Sequence, residues 1–335
     1  MRSLSYGYRQ VFSSNRMGLY DRLRDEDRTR LEGTAQDNVF GAHAELEPHP
    51  GADNPVLTAD DVDDVIASFV ADPFLVYQAG LYHMFFEIKD IAGDVYIAHA
   101  FSEDGLSYTY NQIVISPERA QHTYPYVFRY EGEWVMVPSP GANVNGQFRV
   151  YVATDFPTEW ELIAIPIAEG VRQDPTPIHH EGTWYLIYQN MDSWDVDLVY
   201  ADSLTDSSWT IHPDSPIFRN DVAELEACSI GAAEMVPSGR PLYGENEITI
   251  FYRSHCNREV YEYRITNLST ESFKQARCTD HPMFSGQKND NWNSDFMHTI
   301  SPVYPWGEDE DIVAVDGLSA SNKYSIGIYR PYRGR

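Results

Sequence analysis

Hydrophobic and polar residues alternate along much of this chain in short runs that are separated by glycine-containing turns. Three segments repeat one pattern, in which a proline and a short apolar run precede a turn and an aromatic-rich run. They are ADPFLVYQAGLYHMFFEI (71–88), TYPYVFRYEGEWVMVP (123–138) and QDPTPIHHEGTWYLIY (173–188). Two apolar runs joined by such a turn are typical of a β-hairpin, so each segment predicts an antiparallel strand pair.

The repeat has a period of about fifty residues, since Pro73, Pro125 and Pro175 are spaced 52 and 50 residues apart. Each hairpin is followed by two further strand candidates, and two weaker copies of the pattern follow at 229–266 and 298–330. Four antiparallel strands repeated at this period are typical of a propeller blade. The sequence therefore predicts an all-β fold, a five-bladed β-propeller.

The pattern also predicts the organisation of the chain ends. Residues 1–49 are expected to form an N-terminal extension that is partly helical, because residues 18–32 have helical spacing. Residues 50–335 are expected to form the propeller, with a closing strand near NPVLT (54–58) that joins the two ends of the ring. The alternatives are a β-sandwich or two unrelated β-domains.

The amino-acid composition limits the kinds of molecule that the protein surface can bind. Lys and Arg number 24 and Asp and Glu number 51, which gives a formal net charge of −27. A nucleic-acid or anionic-membrane surface is excluded as a partner, because phosphate contacts require a basic surface. Only four of the basic residues are lysines. A surface rich in carboxylates and poor in lysine stays soluble in concentrated salt, so we interpret the protein as halophilic.

The cysteines and the N-terminal residues indicate the cellular compartment in which the protein is expected. The three cysteines, Cys228, Cys256 and Cys278, form neither a disulfide framework nor a zinc-binding pattern. The first thirty residues contain no apolar segment of the kind found in secretory signals, and no apolar run is long enough to span a membrane. We expect a cytoplasmic protein that is a monomer or a weak oligomer, since closed blades leave few free sheet edges.

The ring topology predicts where a site would lie. The innermost strands of a propeller surround a central channel, so residues that begin each first strand converge at one end of it. Five residues occupy this place in the repeats: Asp72, Tyr124, Asp174, Glu226 and His298. Three of them are acids. Glycoside hydrolysis uses one carboxylic acid to protonate the leaving oxygen and a second carboxylate as base or nucleophile, and a third acid can tune the pKa values of the other two.

These motifs resemble those of the five-bladed propeller superfamily of glycoside hydrolase families 43 and 32. The resemblance covers residues 54–330. It implies that Asp72, in the segment Ala71-Asp72-Pro73, is the base or nucleophile. It also implies that Asp174, in the second Asp-Pro pair, orients the catalytic acids and tunes their pKa values. Glu226 would be the general acid, although the expected EGP or EC motif reads EAC here and Glu224 is a nearby competitor. His298 matches a histidine that lies near a central ion or water.

A second resemblance points away from hydrolysis. The segments VADPF (70–74), HTYPYVF (122–128), NLSTESF (267–273) and AVDG (314–317) are similar to the propeller module of glucosamine inositolphosphorylceramide transferases. That resemblance implies that the propeller accompanies glycosyl transfer and need not be a hydrolase. Too few residues remain outside the five blades for a separate nucleotide-sugar transferase domain.

The leading hypothesis is thus a glycosidase, and the alternative is a non-hydrolytic carbohydrate-binding propeller of a glycan-assembly pathway. A third hypothesis, a carbohydrate phosphorylase, requires an anion site at Arg253 or Arg172. Tyr124, Trp194 and Trp292 are candidates for stacking on sugar rings. Arg253 is expected to hold a substrate carboxylate or an active-site acid. No cofactor is required by these hypotheses, but a channel ion near His298 is possible.

Overall fold

A computed structural model describes the chain from residue 45 to residue 332 with several gaps. The described residues are 45–117, 120–141, 146–168, 170, 172–219, 235–243, 248–254, 259–278, 282–285, 292–304 and 311–332. Most of the expected N-terminal extension and both candidate acids of the fourth blade, Glu224 and Glu226, lie outside them.

The fold is a five-bladed β-propeller, as the repeat predicted. Five antiparallel sheets, four of four strands and one of six, follow one another along the chain. In the first three blades the strands lie in sequence order from the channel outwards, because each repeat contributes its strands through short turns. Their bounds are β2 Ala67–Gln78, β3 Leu81–Asp90, β4 Val95–Ser102, β5 Thr109–Ile115; β6 His122–Tyr130, β7 Glu133–Pro140, β8 Phe148–Asp155, β9 Glu159–Ile167; β10 Arg172–His180, β11 Thr183–Asn190, β12 Val196–Ala201 and β13 Thr210–Ile211.

The fourth and fifth blades are the ones with the weaker repeats. The fourth sheet follows the order β14-β16-β17-β18, with β15 paired to β16 and β19 paired to β17. Its bounds are β14 Met235–Pro237, β15 Leu242–Tyr243, β16 Ile248–Ser254, β17 Glu259–Leu268, β18 Phe273–Arg277 and β19 Phe284–Ser285. The fifth blade contains β20 Phe296–Pro302, β21 Val313–Leu318 and β22 Tyr324–Pro331.

The ring is closed by an N-terminal strand, β1 (Leu46–Pro48), which pairs with β22 as the fourth strand of the fifth blade. We expected this strand at residues 54–58. The structure places it earlier, although Leu57 also bridges to Ile326 on the same edge of β22. A 3₁₀ turn, Ala59–Asp61, then leads into the first blade. The strand lies just before the boundary at residue 50 that the sequence suggested.

The hydrophobic core lies between neighbouring blades. Val76 and Phe85 of the first blade pack with Trp134 and Met136 of the second, and similar clusters join the other blades. Each blade thus buries both faces of its sheet, which explains why its central strands are apolar along most of their length. Among the described residues no helix is long and apolar enough to span a membrane.

Candidate active site at the mouth of the channel

A local irregularity of the inner strands directs the predicted residues towards one another. The pairing register shifts at Asp72, Tyr124 and Asp174, each of which precedes a proline, and again at His298. The first three residues also have left-handed backbone conformations, with φ angles of 51°, 46° and 54°. Non-glycine residues rarely adopt these angles, and such strain is characteristic of bulges that re-aim a side chain.

Asp72 is the centre of the resulting cluster and is almost completely buried. Its Oδ1 accepts a hydrogen bond from Thr299 Oγ1 at 2.6 Å and lies 2.9 Å from His298 Nδ1. Burial alone would raise the pKa of Asp72. The charge of His298 and the hydrogen bonds from His298 and Thr299 outweigh burial and lower that pKa to about 2. Asp72 is therefore an ionised carboxylate across the physiological pH range.

Asp316 on β21 holds this arrangement in place from the second strand of the fifth blade. One carboxylate oxygen accepts from the backbone N–H of Thr299 at 2.5 Å. The other accepts from the backbone N–H of Asp72 at 3.0 Å and lies 3.1 Å from His298 Nδ1. The fully buried Asp316 thus ties the bulge of the first blade to the bulge of the fifth.

The imidazole of His298 carries a positive charge in this setting. Burial and the nearby Arg253 act to lower its pKa, but Asp316 and Asp72 raise it to about 10. The protonated ring supplies the positive charge between the two carboxylates.

Glu87 is a second carboxyl group in contact with Asp72. It lies on β3, directly opposite Ala71, so its side chain reaches the neighbouring bulge and hydrogen-bonds to Asp72. Burial and the charge of Asp72 raise its pKa well above the usual range. The two carboxyl groups therefore differ in proton affinity, with Asp72 the more readily ionised and Glu87 the more readily protonated.

Asp174 joins the cluster from the third blade. Its Oδ2 lies 3.0 Å from Arg253 Nη2, and its backbone N–H donates to Ser139 Oγ at 2.9 Å. Burial raises the pKa of Asp174, and the adjacent guanidinium opposes that rise. The electrostatic interactions of Asp174 and Arg253 with Asp72 show that ring closure has brought these residues together, as the topology predicted.

Tyr124 lies in the same region but is fully buried. Its hydroxyl accepts from the backbone N–H of Gly239 at 2.6 Å and donates to the Gly239 carbonyl at 3.1 Å. The ring packs on Phe74 with centroids 4.8 Å apart. In this structure Tyr124 therefore braces the channel wall, and its ring offers no open face for a sugar.

The two tryptophans occupy different places. Trp292 is buried in the core between the fourth and fifth blades, where it packs near Gly327 and Tyr329. The structure does not bring it to the cluster. Trp194 lies partly exposed in the turn between β11 and β12. That turn is at the same end of the blade as Arg172, which pairs with Asn190, so Trp194 belongs to the rim of the channel mouth.

Three residues of the cluster were not identified as site residues from the sequence: Glu87, Thr299 and Asp316. Glu87 interrupts the apolar run MFFEI, and Asp316 interrupts IVAVDG. An acid within a buried strand is costly unless it is paired, so these interruptions were usable signals. We gave weight only to first strands, and both acids lie on second strands.

Asp72, His298 and Asp316 also form a group whose ligand atoms, all within 4.8 Å of one another, are close enough to consider a metal ion. The geometry fits an ion poorly, because His298 Nδ1 is already within hydrogen-bonding distance of both carboxylates. To bind a metal, the imidazole would have to lose the proton that it shares with them. The channel ion that we expected near His298 stays a prediction.

Fold and site together define a five-bladed propeller with a buried, charge-paired carboxyl cluster at one mouth of its channel. The chain belongs to the family described as glucosamine inositolphosphorylceramide transferase 1, N-terminal, whose sequence model matches residues 40–317. The chain is similar to glucosamine inositolphosphorylceramide transferase 1 of Oryza sativa subsp. indica, with 30% identity over 241 residues. The match covers 67% of this chain and 30% of the rice protein, so the chain spans about a third of that relative.

Solved structures with the same fold are more distant in sequence. The β-1,2-mannobiose phosphorylase of Listeria innocua superposes with a TM-score of 0.65 at 11% identity, covering 85% of this chain and 96% of that one. A glycosyl hydrolase of Bacteroides ovatus superposes with a TM-score of 0.63 at 13% identity, covering 88% and 96%. At such identities the likeness establishes the fold alone.

Proposed function

We propose that this propeller is a carbohydrate-active enzyme that cleaves glycosidic bonds at the mouth of its channel. The observation that carries the proposal is the convergence of Asp72 and Asp174, two buried carboxyl groups from different blades whose pKa values are shifted in opposite directions. Environments that separate the pKa values of neighbouring acids are typical of sites that give those acids different roles in catalysis. The two solved neighbours, a β-1,2-mannobiose phosphorylase and a glycosyl hydrolase, agree with this class.

In this proposal Asp72 supplies negative charge at the anomeric carbon. Its low pKa makes it a weak base, so the role of nucleophile or of electrostatic stabiliser for an oxocarbenium-like transition state suits it better. Asp174, held by Arg253, orients the other acids and tunes their pKa values. Glu87 contacts Asp72 directly and leaves no room for a sugar between them, so the proton donor is a different residue. Glu226 remains our prediction for that donor, with Glu224 as competitor.

The test is turnover of a panel of aryl glycosides and oligosaccharides in molar salt by the wild type and by Asp72→Asn. The amide keeps the shape of the side chain but removes its charge, so we expect turnover to fall by about 10³-fold or more. Asp155→Asn, at the exposed end of β8 that lies away from the channel mouth, is the matched control and should retain wild-type activity. Unchanged activity in Asp72→Asn would refute the assignment.

A non-hydrolytic, carbohydrate-binding propeller is the second candidate. It is favoured by the engagement of both described acids, since Asp72 is held by His298 and Thr299 and Asp174 by Arg253. The family name, which refers to a transferase, also agrees with a role beside glycosyl transfer. This candidate predicts saturable binding of glycans by the wild type and no turnover of any panel member.

A further inference from the structure

The first blade rises higher than its neighbours at the channel mouth. The β2–β3 ladder begins at Ala67, five residues before Asp72, whereas β6 and β10 begin only two residues before Tyr124 and Asp174. Three additional residues at about 3.3 Å each extend the hairpin by roughly 10 Å. The projecting part forms a wall above the carboxyl cluster.

An aromatic pair lies on this wall. Phe69 of β2 packs edge-on against Tyr324, the first residue of β22, with ring centroids 5.4 Å apart and an interplanar angle of 61°. Both side chains are only partly buried. Tyr324 also packs on His298 at 5.4 Å, and its hydroxyl lies in the field of Asp316 and Asp72. A ligand that approaches Asp72 along the wall therefore meets the two rings.

Two of the four lysines of the chain flank this pair. Lys89, paired with Phe69 across the ladder, places its Nζ 5.9 Å from the centroid of the Phe69 ring. Lys323 directly precedes Tyr324 and is exposed. Neither lysine forms an ion pair with another residue in the described ranges.

The absence of such an ion pair is informative in a protein with 51 acidic residues. The nearest acid along the chain, Asp90, is occupied, since its carboxylate accepts from the N–H groups of Ala92 and Asp94 and from the hydroxyl of Tyr96. A net charge of −27 repels anions over most of the surface. Lys89 and Lys323, which form no ion pair within the described part of the chain, lie beside partly exposed rings and make this rim a place where an anion is tolerated.

We propose that the rim formed by Phe69, Tyr324, Lys89 and Lys323 is a binding subsite for an acidic sugar. The apolar face of the ring packs on Phe69 and Tyr324, and a carboxylate or phosphate substituent is held by the two lysines. The proposal deepens the proposed function, on which it rests for the location of the reacting bond. It concerns binding, so it can be tested apart from turnover.

The experiment is calorimetric titration with matched pairs of probes at one fixed ionic strength. The pairs are p-nitrophenyl β-D-glucuronide with the corresponding glucoside, p-nitrophenyl β-D-galacturonide with the galactoside, and glucose 6-phosphate with glucose. We expect the acidic member of at least one pair to bind about tenfold more tightly, because it alone reaches the lysines. The uronate and phosphate arms distinguish which anion is preferred. Equal affinities within all three pairs, or no binding by any probe, would overturn the proposal.

Variants separate the two parts of the subsite. The double variant Lys89→Gln/Lys323→Gln should abolish the preference for the acidic probe without changing the affinity for the neutral one, and Lys89→Arg/Lys323→Arg should restore the preference. Tyr324→Ala should weaken both members of a pair. Lys274→Gln, on the outermost strand of the fourth blade, and Tyr332→Ala, at the far end of β22, are the matched controls and should have no effect. A preference that survives the removal of both lysines contradicts the subsite.

Two further measurements keep this inference apart from the proposed function. Inorganic phosphate alone should bind weakly and should not respond to Tyr324→Ala; phosphate that binds as tightly as glucose 6-phosphate would remove the aromatic half of the proposal. Asp72→Asn should lose turnover and retain the preference for acidic probes. Turnover of neutral glycosides with no acidic preference refutes the subsite alone, and an acidic preference without turnover refutes hydrolysis alone.

Discussion

Two buried cations along the channel are neutralised in different ways. His298 at the mouth lies within 3.1 Å of the carboxylates of Asp72 and Asp316. Arg240 lies deeper, at the level of Leu75 and Val127, and forms no ion pair with any residue that the structure describes. Its Nη2 donates to the Val127 carbonyl at 2.6 Å and to the Leu75 carbonyl at 3.4 Å.

Aromatic rings complete the surroundings of Arg240. The guanidinium lies 5.0 to 5.5 Å from the ring centroids of Phe74, Tyr126 and Tyr304. Fixed dipoles and ring faces stabilise a charge without adding a second charged group. The comparison teaches that burial of charge does not by itself mark a functional site. The mouth is distinguished by carboxylates that pair directly with the charged imidazole, whereas Arg240 is held by carbonyl oxygens and aromatic rings and joins three blades.

The largest expected effect is on stability and comes from Arg240→Met. The substitution removes hydrogen bonds to two buried carbonyls and the contacts with three rings, so we expect the free energy of unfolding to fall by about 3 kcal/mol. Urea unfolding in molar salt measures it. The control is Arg330→Met, which removes a partly exposed ion pair with Glu47 and should cost less than about 1 kcal/mol. Equal losses in the two variants would contradict the role of Arg240.

An intermediate effect on stability is expected from His298→Gln, and its size should depend on pH. Its folded-state pKa is raised from 6.5 to about 10, so its stabilising contribution is complete below about pH 6.5 and is lost as the pH rises towards 10. We expect His298→Gln to lower the melting temperature at pH 6.5 much more than at pH 10. Arg240→Met should lower it similarly at both values, because a guanidinium stays charged. A constant effect of His298→Gln across this range would refute the charged imidazole.

The smallest effect is expected from Glu87→Gln at about pH 4.5 and below. A protonated carboxyl group and an amide can both donate to Asp72, so in that range we expect the free energy of unfolding to change by less than about 1 kcal/mol. The raised pKa of Glu87 means that the wild type loses stability as the pH rises above the unfolded-state value of 4.5, and the variant is spared this loss. Glu87→Gln should therefore become the more stable protein at alkaline pH. A large loss at pH 7 would instead indicate that Glu87 is ionised.

The halophilic and cytoplasmic character that the composition suggested stays a prediction, as do the roles of Trp194 and Glu226. By contrast, the ring of five blades was readable because the first three repeats keep the same order of proline, apolar run and turn. The closing strand was misplaced because β1 has only three residues, with Leu46 as its one apolar side chain. Such a strand has no periodicity to detect, and only its pairing with β22 defines it.

The sequence by itself determined the period of the repeat, the acidic charge and the presence of Asp72 and Asp174 at equivalent places in two blades. Local alternation and turn residues are short-range properties, so they can be read from neighbouring letters. Only the tertiary structure decided that Glu87 and Asp316 meet Asp72, and that Tyr124 is a buried brace. Those outcomes depend on which side chains share a space after the ring closes, and burial and charge pairing there are set by residues up to 244 positions apart in the chain.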